Sequence, residues 1–244
     1  MSGRRSGGRG GGGGRDRTER LSRALSALLR HNAVAEGLHV RPDGYVAVDE
    51  LLRHRRFADV TLAELEHIVA TNEKQRFTLT VDERGAAWIK ANQGHSLAVV
   101  TELELERITN AAQVPVVVHG TSRRSWALIA ASGGLHCMGR QHVHFAAGLP
   151  NEDGVVSGMR AASEVYVYLD AARALEAGME LYRSANGVLL TPGFGGWVPL
   201  RYLSRVVTRS GEPLAFDPET PLAAAAPPPP PHRQHQLPRS RRPG

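Results

Sequence analysis

A chain of 244 residues, 41% of them hydrophobic, can bury one large core or two small ones. Its one cysteine, Cys137, excludes an intrachain disulfide and any zinc site that needs two or more thiolates. The net charge of +6 suggests a polyanionic partner until it is located: residues 1–17 sum to +4 and residues 210–244 to +1, which leaves about +1 for the middle of the chain. Anion binding there must rest on a few placed arginines. No apolar stretch approaches the ~20 residues needed to cross a bilayer, and the N-terminus lacks the apolar core of a secretory signal. The expectation is an intracellular protein without a membrane partner. The short Arg239–Arg242 cluster does not decide between cytoplasm and nucleus.

In chain order, residues 1–17 are a Gly/Arg-rich tail, expected to be disordered because it holds too little apolar surface to offset its ordering entropy. A first lobe follows over residues 18–110. Leu21, Leu25, Leu28 and Leu29 fall at helical spacing, and Asp16 with Glu19 is spaced as a capping box at the helix start. Pro42-Asp43-Gly44 is a turn, and Val48 to Arg56 is a short helical stretch. Thr61 and Glu64 make a second capping box in front of Leu62, Leu65, Ile68 and Val69. Then the period changes: Phe77, Leu79 and Val81 alternate, Asp82 to Gly85 turns, and Ala86 to Lys90 returns. Three short helices and a hairpin form the pattern of a winged-helix module, which serves nucleic-acid binding and protein interaction alike.

Residues 111–209 are richer in strands. Val114 to Val118 is a β-branched run ending at His119-Gly120-Thr121. Trp126, Ile129 and Ala130 follow at helical spacing, and Gly133-Gly134 closes that helix. His142 to Phe145, Glu164 to Asp170, Val188 to Thr191 and Leu203 to Thr208 read as strands. No Gly-x-Gly-x-x-Gly lies between a strand and a helix, so neither a Rossmann site nor a P-loop is offered. Residues 210–244, with four alanines followed by five prolines, read as a second disordered tail. The expected fold class is α+β, two lobes with disordered tails.

Four cationic positions stand out, and each taken alone has an ordinary explanation. Arg30-His31 ends the first helix, where cations suit the macrodipole and the last carbonyls. Arg76 sits in a charged handover from helix to strand, and Arg140 in a loop. His142 and His144 point to one side of a strand. With no third ligand cluster nearby, a metal pair is the weaker reading, and one histidine facing a ligand while the other packs is the stronger.

The segments Leu28-Leu29-Arg30-His31, Lys74-Gln75-Arg76-Phe77, Ala91-Asn92-Gln93-Gly94-His95-Ser96, His119-Gly120-Thr121, Arg140-Gln141-His142-Val143-His144 and Ser184-Ala185-Asn186-Gly187-Val188 occur in this order. Together they resemble the tRNA 2′-phosphotransferase family, the NAD-dependent RNA 2′-phosphotransferases, over about residues 20–205 and without the tails. Each segment alone is weak, but six in register overturn the ordinary readings above. The resemblance implies an RNA-binding winged-helix-like lobe joined to an ADP-ribosyltransferase-like mixed β lobe that holds NAD⁺. It places a catalytic tetrad on Arg30, His31, Arg76 and Arg140. It replaces the His-Tyr-Glu triad of many ADP-ribosyltransferases by His119, His144 and Val188, with Gly120, Thr121 and Asn186 beside them as cofactor-binding positions. Lys74, with Arg30 and Arg76, is implied as a contact of the RNA phosphate. Ala185 departs from the acidic residue that some relatives carry, which leaves the tetrad untouched.

The implied reaction has two steps. The internal 2′-phosphate of spliced tRNA, or of another RNA, attacks the anomeric carbon of the nicotinamide ribose and expels nicotinamide. The ribose 2″-hydroxyl of the RNA-2′-phospho-ADP-ribose intermediate then attacks phosphorus, giving 2′-hydroxyl RNA and ADP-ribose 1″,2″-cyclic phosphate. NAD⁺ is a co-substrate, no metal is implied, and a monomer is expected. Arginines suit the task because a guanidinium stays charged and binds two phosphate oxygens with fixed geometry. A one-step ADP-ribosyltransferase acting on RNA or DNA terminal phosphates would use the same site without needing the full tetrad. A non-enzymatic RNA-binding module is the lesser alternative.

Overall fold

The computed structural model describes residues 12–149, 159 and 162–223. Most of both expected tails (residues 1–11 and 224–244) lies outside the described residues.

Helix α1 (Gly12–Ala27) runs into a π-helical turn at Leu28–Asn32, closed by Ala33 N–H donating to Leu28 O at 2.8 Å. Leu25, Leu28 and Leu29 are fully buried, as their spacing requires. Strand β1 (Val46–Ala47), α2 (Val48–Arg53), α3 (Leu62–Ala70), β2 (Phe77–Val81) and β3 (Ala87–Ala91) complete this half, with an antiparallel sheet ordered β1-β3-β2. The helices and sheet enclose one core that includes Leu51, Phe57, Leu65 and Ile89. The Thr61–Glu64 capping box forms: Glu64 N–H donates to Thr61 Oγ1 at 3.2 Å and Thr61 N–H to Glu64 Oε2 at 3.1 Å.

Two local expectations are corrected here. The Asp16–Glu19 box does not form, because α1 begins at Gly12 and places Asp16 within the helix; Glu19 pairs with Arg23 instead at 2.9 Å. Helix α2 stops at Arg53 rather than Arg56, since His54 turns extended and, with Arg56, is drawn to Glu36 at 3.2 and 3.1 Å.

The second half carries β4 (Leu105–Ile108), β5 (Val118–Thr121), α4 (Arg123–Ala131), β6 (Gly134–His136), β7 (Val143–Phe145) and β8 (Val165–Leu169). It continues with α5 (Ala171–Glu176), β9 (Leu181–Ser184), β10 (Leu189–Thr191), β11 (Trp197–Pro199) and β12 (Leu203–Thr208). The strands make antiparallel sheets ordered β4-β9-β10-β7, β12-β8-β5 and β11-β6 around a core that includes Ile108, Val167, Leu181 and Val198. The chain is thus α+β with several small antiparallel sheets.

Pairing of β5 with β8 starts at Val118 rather than Val114, because Pro115 has no N–H for a ladder. Strand β4 lies before residue 110 in sequence, yet pairs with β9 of the second half from Leu105↔Ser184 to Ile108↔Leu181. Residues 210–223 also differ from the expected disordered tail. Leu214 N–H donates to Val206 O at 2.9 Å, Phe216 meets Trp126 edge-on at 6.0 Å, and Ala223 N–H reaches Ser132 O at 3.0 Å. Leu214 and Phe216 supply the apolar surface that orders this stretch.

Candidate active site

Between the two cores opens a cleft of about 710 Å³. Its first wall begins at the π turn. A π turn carries one residue more per hydrogen-bonded ring than an α-helix and so re-aims the side chains after it. Arg30 projects from this turn into the cleft, and its Nε and Nη2 are buried without a hydrogen-bond partner. Gly94 lies beside Arg30 and His144, and its φ of +88° is a backbone conformation that favours glycine.

Arg76 stands just before β2. Asn72 Oδ1 accepts from Arg76 N–H at 3.1 Å and from Nη1 at 3.3 Å, while Asn72 Nδ2 donates to Ser22 Oγ at 3.0 Å. The preceding Gln75 has φ +43°, uncommon for a residue with a side chain, and Asn92 Nδ2 holds its carbonyl at 2.8 Å. Arg140 enters from the loop before β7, its N–H donating to Cys137 O at 3.1 Å. Burial, then Arg140 and Arg76, push the Arg30 pKa down to about 10, which leaves it charged at neutral pH. The Arg76 pKa is lowered by burial, against Glu19 and Glu73. Lys74 completes the cations; its Nζ donates to Met159 O at 2.6 Å.

The other wall is neutral. His119 Nδ1–H donates to His144 O at 2.8 Å, which fixes the tautomer, and burial outweighs that bond in lowering its pKa. Burial, then the charges of Arg140 and Arg30, hold His144 at about 3, and its buried Nε2 has no partner. Gly120 lies under Met159 and Ser163: a Cβ would come within 2.5 Å of Met159 Sδ and 2.7 Å of Ser163 Oγ. Thr121 and the buried Val188 line this side too. Asn186 lies on the wall with its amide engaged by the protein. Its Nδ2 donates to Lys74 O at 2.9 Å and its Oδ1 accepts from Ser184 Oγ at 2.8 Å, tying the two halves together.

Among the described residues that line the cleft there is no Asp or Glu, against four Arg and Lys. Such a wall selects anions with several oxygens. Among the described residues no group of three or more His, Cys, Asp or Glu could hold a metal ion.

Residues 16–193 match the family model "RNA 2′-phosphotransferase, Tpt1 / KptA family". The chain belongs to this family. A Schizosaccharomyces pombe protein is 46% identical over 193 residues, which cover 79% of this chain and 52% of that protein. Bos taurus "tRNA 2′-phosphotransferase 1" is 44% identical over 195 residues, 79% of this chain and 76% of its own length. Homo sapiens "tRNA 2′-phosphotransferase 1" is 42% identical over 212 residues, with 84% and 83% covered. The chain therefore spans about half the length of the fission-yeast relative and most of the mammalian ones. The six-segment resemblance to tRNA 2′-phosphotransferases is borne out.

In this RNA 2′-phosphotransferase family member, every site residue expected from sequence lines the cleft except His31. His31 follows Arg30 on the π turn and its Nδ1 is 2.9 Å from Ser96 Oγ. Sequence reasoning missed Gln93, whose side chain is buried in the cleft wall with Oε1 unpartnered, although it belongs to a segment that carries the resemblance. It also missed Ser122, Ser125, Met138 and Met159, which carried no motif signal.

Proposed function

We propose that this chain removes the internal 2′-phosphate of tRNA, or of another 2′-phosphorylated RNA, by transferring it to NAD⁺. The products are 2′-hydroxyl RNA, nicotinamide and ADP-ribose 1″,2″-cyclic phosphate. The observation that carries the reading is that, among the described residues of one cleft, four cations without a carboxylate stand against a neutral histidine wall. The relatives named as tRNA 2′-phosphotransferases point the same way.

The residues present fit a dinucleotide. Gly120 and Thr121 line the cleft at the end of β5, and the neutral His144 Nε2 is a buried acceptor or donor awaiting a partner. The cleft volume lies within the ~300–1,000 Å³ typical of small-molecule sites. When bound, NAD⁺ supplies the electrophilic anomeric carbon. Arg30, Arg76 and Arg140 grip the 2′-phosphate, hold one oxygen in line for attack, and stabilise the crowded phosphorus centre of the second step. Burial, and after it the charges of Arg140 and Arg76, lower the Arg30 pKa, and a phosphate between the arginines relieves the repulsive part. Lys74 adds charge at the rim. His31 stands beside this wall and delivers the proton that the departing RNA 2′-oxygen needs. Val188 leaves the ribose 2″-hydroxyl unclaimed, where a carboxylate would bind it. The part of the chain before β4 acts as the winged-helix-like RNA-binding lobe, and β4 with the strands after it as the ADP-ribosyltransferase-like NAD⁺ lobe.

The test is incubation of the purified chain with a short RNA bearing one internal 2′-phosphate, with and without NAD⁺, and products resolved by mass. NAD⁺-dependent loss of the phosphate together with the cyclic-phosphate product is expected. A stable ADP-ribosylated RNA would replace this reading by a one-step transferase, and unchanged RNA would leave a binding module.

A further inference from the structure

We infer that Ser96 is a positioning residue for the transfer, clamping the π turn through its backbone and orienting the His31 ring through its hydroxyl. The inference rests on the phosphotransferase reading above.

The turn that carries Arg30 and His31 ends its helix, and the last carbonyls of a helix lack partners further along it. Arg30 O finds one in Ser96 N–H at 3.0 Å. The same residue's Oγ lies 2.9 Å from His31 Nδ1. One residue, 65 positions away in sequence, thus binds the main chain of one site residue and the side chain of the next. Ser96 is exposed, and the segment around it is pinned on both sides. Gly94 packs against the Arg30 stem, and Gln141 N–H donates to His95 O at 3.2 Å while Gln141 Nε2 donates to Val100 O at 2.6 Å. Gln141 follows Arg140 directly, so the segment from Gly94 to Val100 links the Arg30–His31 turn to the loop of the third arginine.

The chemistry gives the hydroxyl its purpose. In the second step the ribose 2″-oxygen bonds to phosphorus and loses its proton, while the bond from phosphorus to the RNA 2′-oxygen breaks and that oxygen gains one. With Nδ1 committed to Ser96, the proton that His31 passes to the RNA 2′-oxygen leaves from Nε2. Because that proton leaves from Nε2, Nδ1 keeps its hydrogen before and after the transfer, and the Ser96 hydroxyl accepts from it in both states. The hydroxyl therefore holds the ring in place through the whole proton transfer.

Ser96→Ala keeps the N–H that binds Arg30 O and deletes only the bond to His31. The expected result with 2′-phosphorylated RNA and NAD⁺ is a kcat about 10- to 100-fold lower, part of the ~10²–10⁴ that a positioned proton donor supplies. KM for either substrate stays within about twofold, and RNA-2′-phospho-ADP-ribose builds up. Ser96→Thr restores most of the rate. The double variant Ser96→Ala with His31→Ala is no slower than His31→Ala alone, as required if Ser96 acts through His31. Thermal unfolding of each variant, checked alongside, stays within a few degrees of the parent. An active parent with an undiminished Ser96→Ala, or a double variant showing the full product of both losses, overturns the inference while leaving the reaction intact. A parent that leaves the RNA unchanged overturns the reaction itself.

Discussion

The two walls of the cleft solve opposite electrostatic problems. Arg30, Arg76 and Arg140 stay charged although burial and mutual repulsion press on Arg30. His119 and His144 face them and are kept neutral by burial, with the charges of Arg140 and Arg30 adding to the effect at His144. On the proposed reading, the first wall takes the phosphate, and the second offers shape and hydrogen bonds to an uncharged ribose or base.

The sharpest way to break this contrast is to remove charge from the first wall. Arg30→Ala is expected to lower kcat about 10²–10³-fold, the usual cost of losing one preorganised donor. Arg30→Lys should recover little of it, since an ammonium lacks the bidentate fork. Steady-state rates with 2′-phosphorylated RNA check both.

Acid gives the second test, because His144 on the neutral side and the buried His95 resist protonation in the folded protein. Unfolded, a histidine takes up its proton near pH 6.5; folded, His144 does so only near 3 and His95 only near 4. Their folded pKa values are depressed, so stability is complete above about pH 7 and is lost as the pH falls below 6.5 towards 4. The slope is about 1.4 kcal/mol per pH unit for each histidine. Urea midpoints measured from pH 7.5 to 5 should show it, and His144→Asn should flatten the curve.

A smaller effect separates the walls by substrate. Gly120→Ala pushes a methyl into Met159 and Ser163, so KM for NAD⁺ should rise about threefold to tenfold while KM for RNA hardly moves. Last, Asn186→Ala removes the bonds to Lys74 O and Ser184 Oγ and should cost about 1–2 kcal/mol in a urea titration.

Much of this was legible in the chain, for identifiable physical reasons. Leucines at helical spacing and the Thr61–Glu64 box gave the first-half helices, and period-2 alternation gave β2 and β3. Short three- and four-residue strands such as β4, β6, β9 and β11 carry too few residues for any period to show. Their pairing is non-local, and β4 joins β9 across about 75 residues of chain. The ordered stretch 210–223 was hidden because two apolar residues, Leu214 and Phe216, suffice to dock it. At the site, motif order identified the arginines, but nothing in composition distinguishes Arg30 on a π turn from an arginine ending an ordinary helix. Gln93 and Ser96 needed geometry, because one matters through a buried unpartnered oxygen and the other through its reach to His31.

The π turn also sets how this chain tolerates changes in length. Each residue of an α-helix advances about 100° around its axis, and a π turn stores one surplus residue. The residues between Leu28 and Asn32 are the fully buried Leu29 and the two site residues Arg30 and His31. Shortening the turn would therefore remove either core packing or site chemistry, so this stretch is as intolerant of a change in length as of a change in side chain.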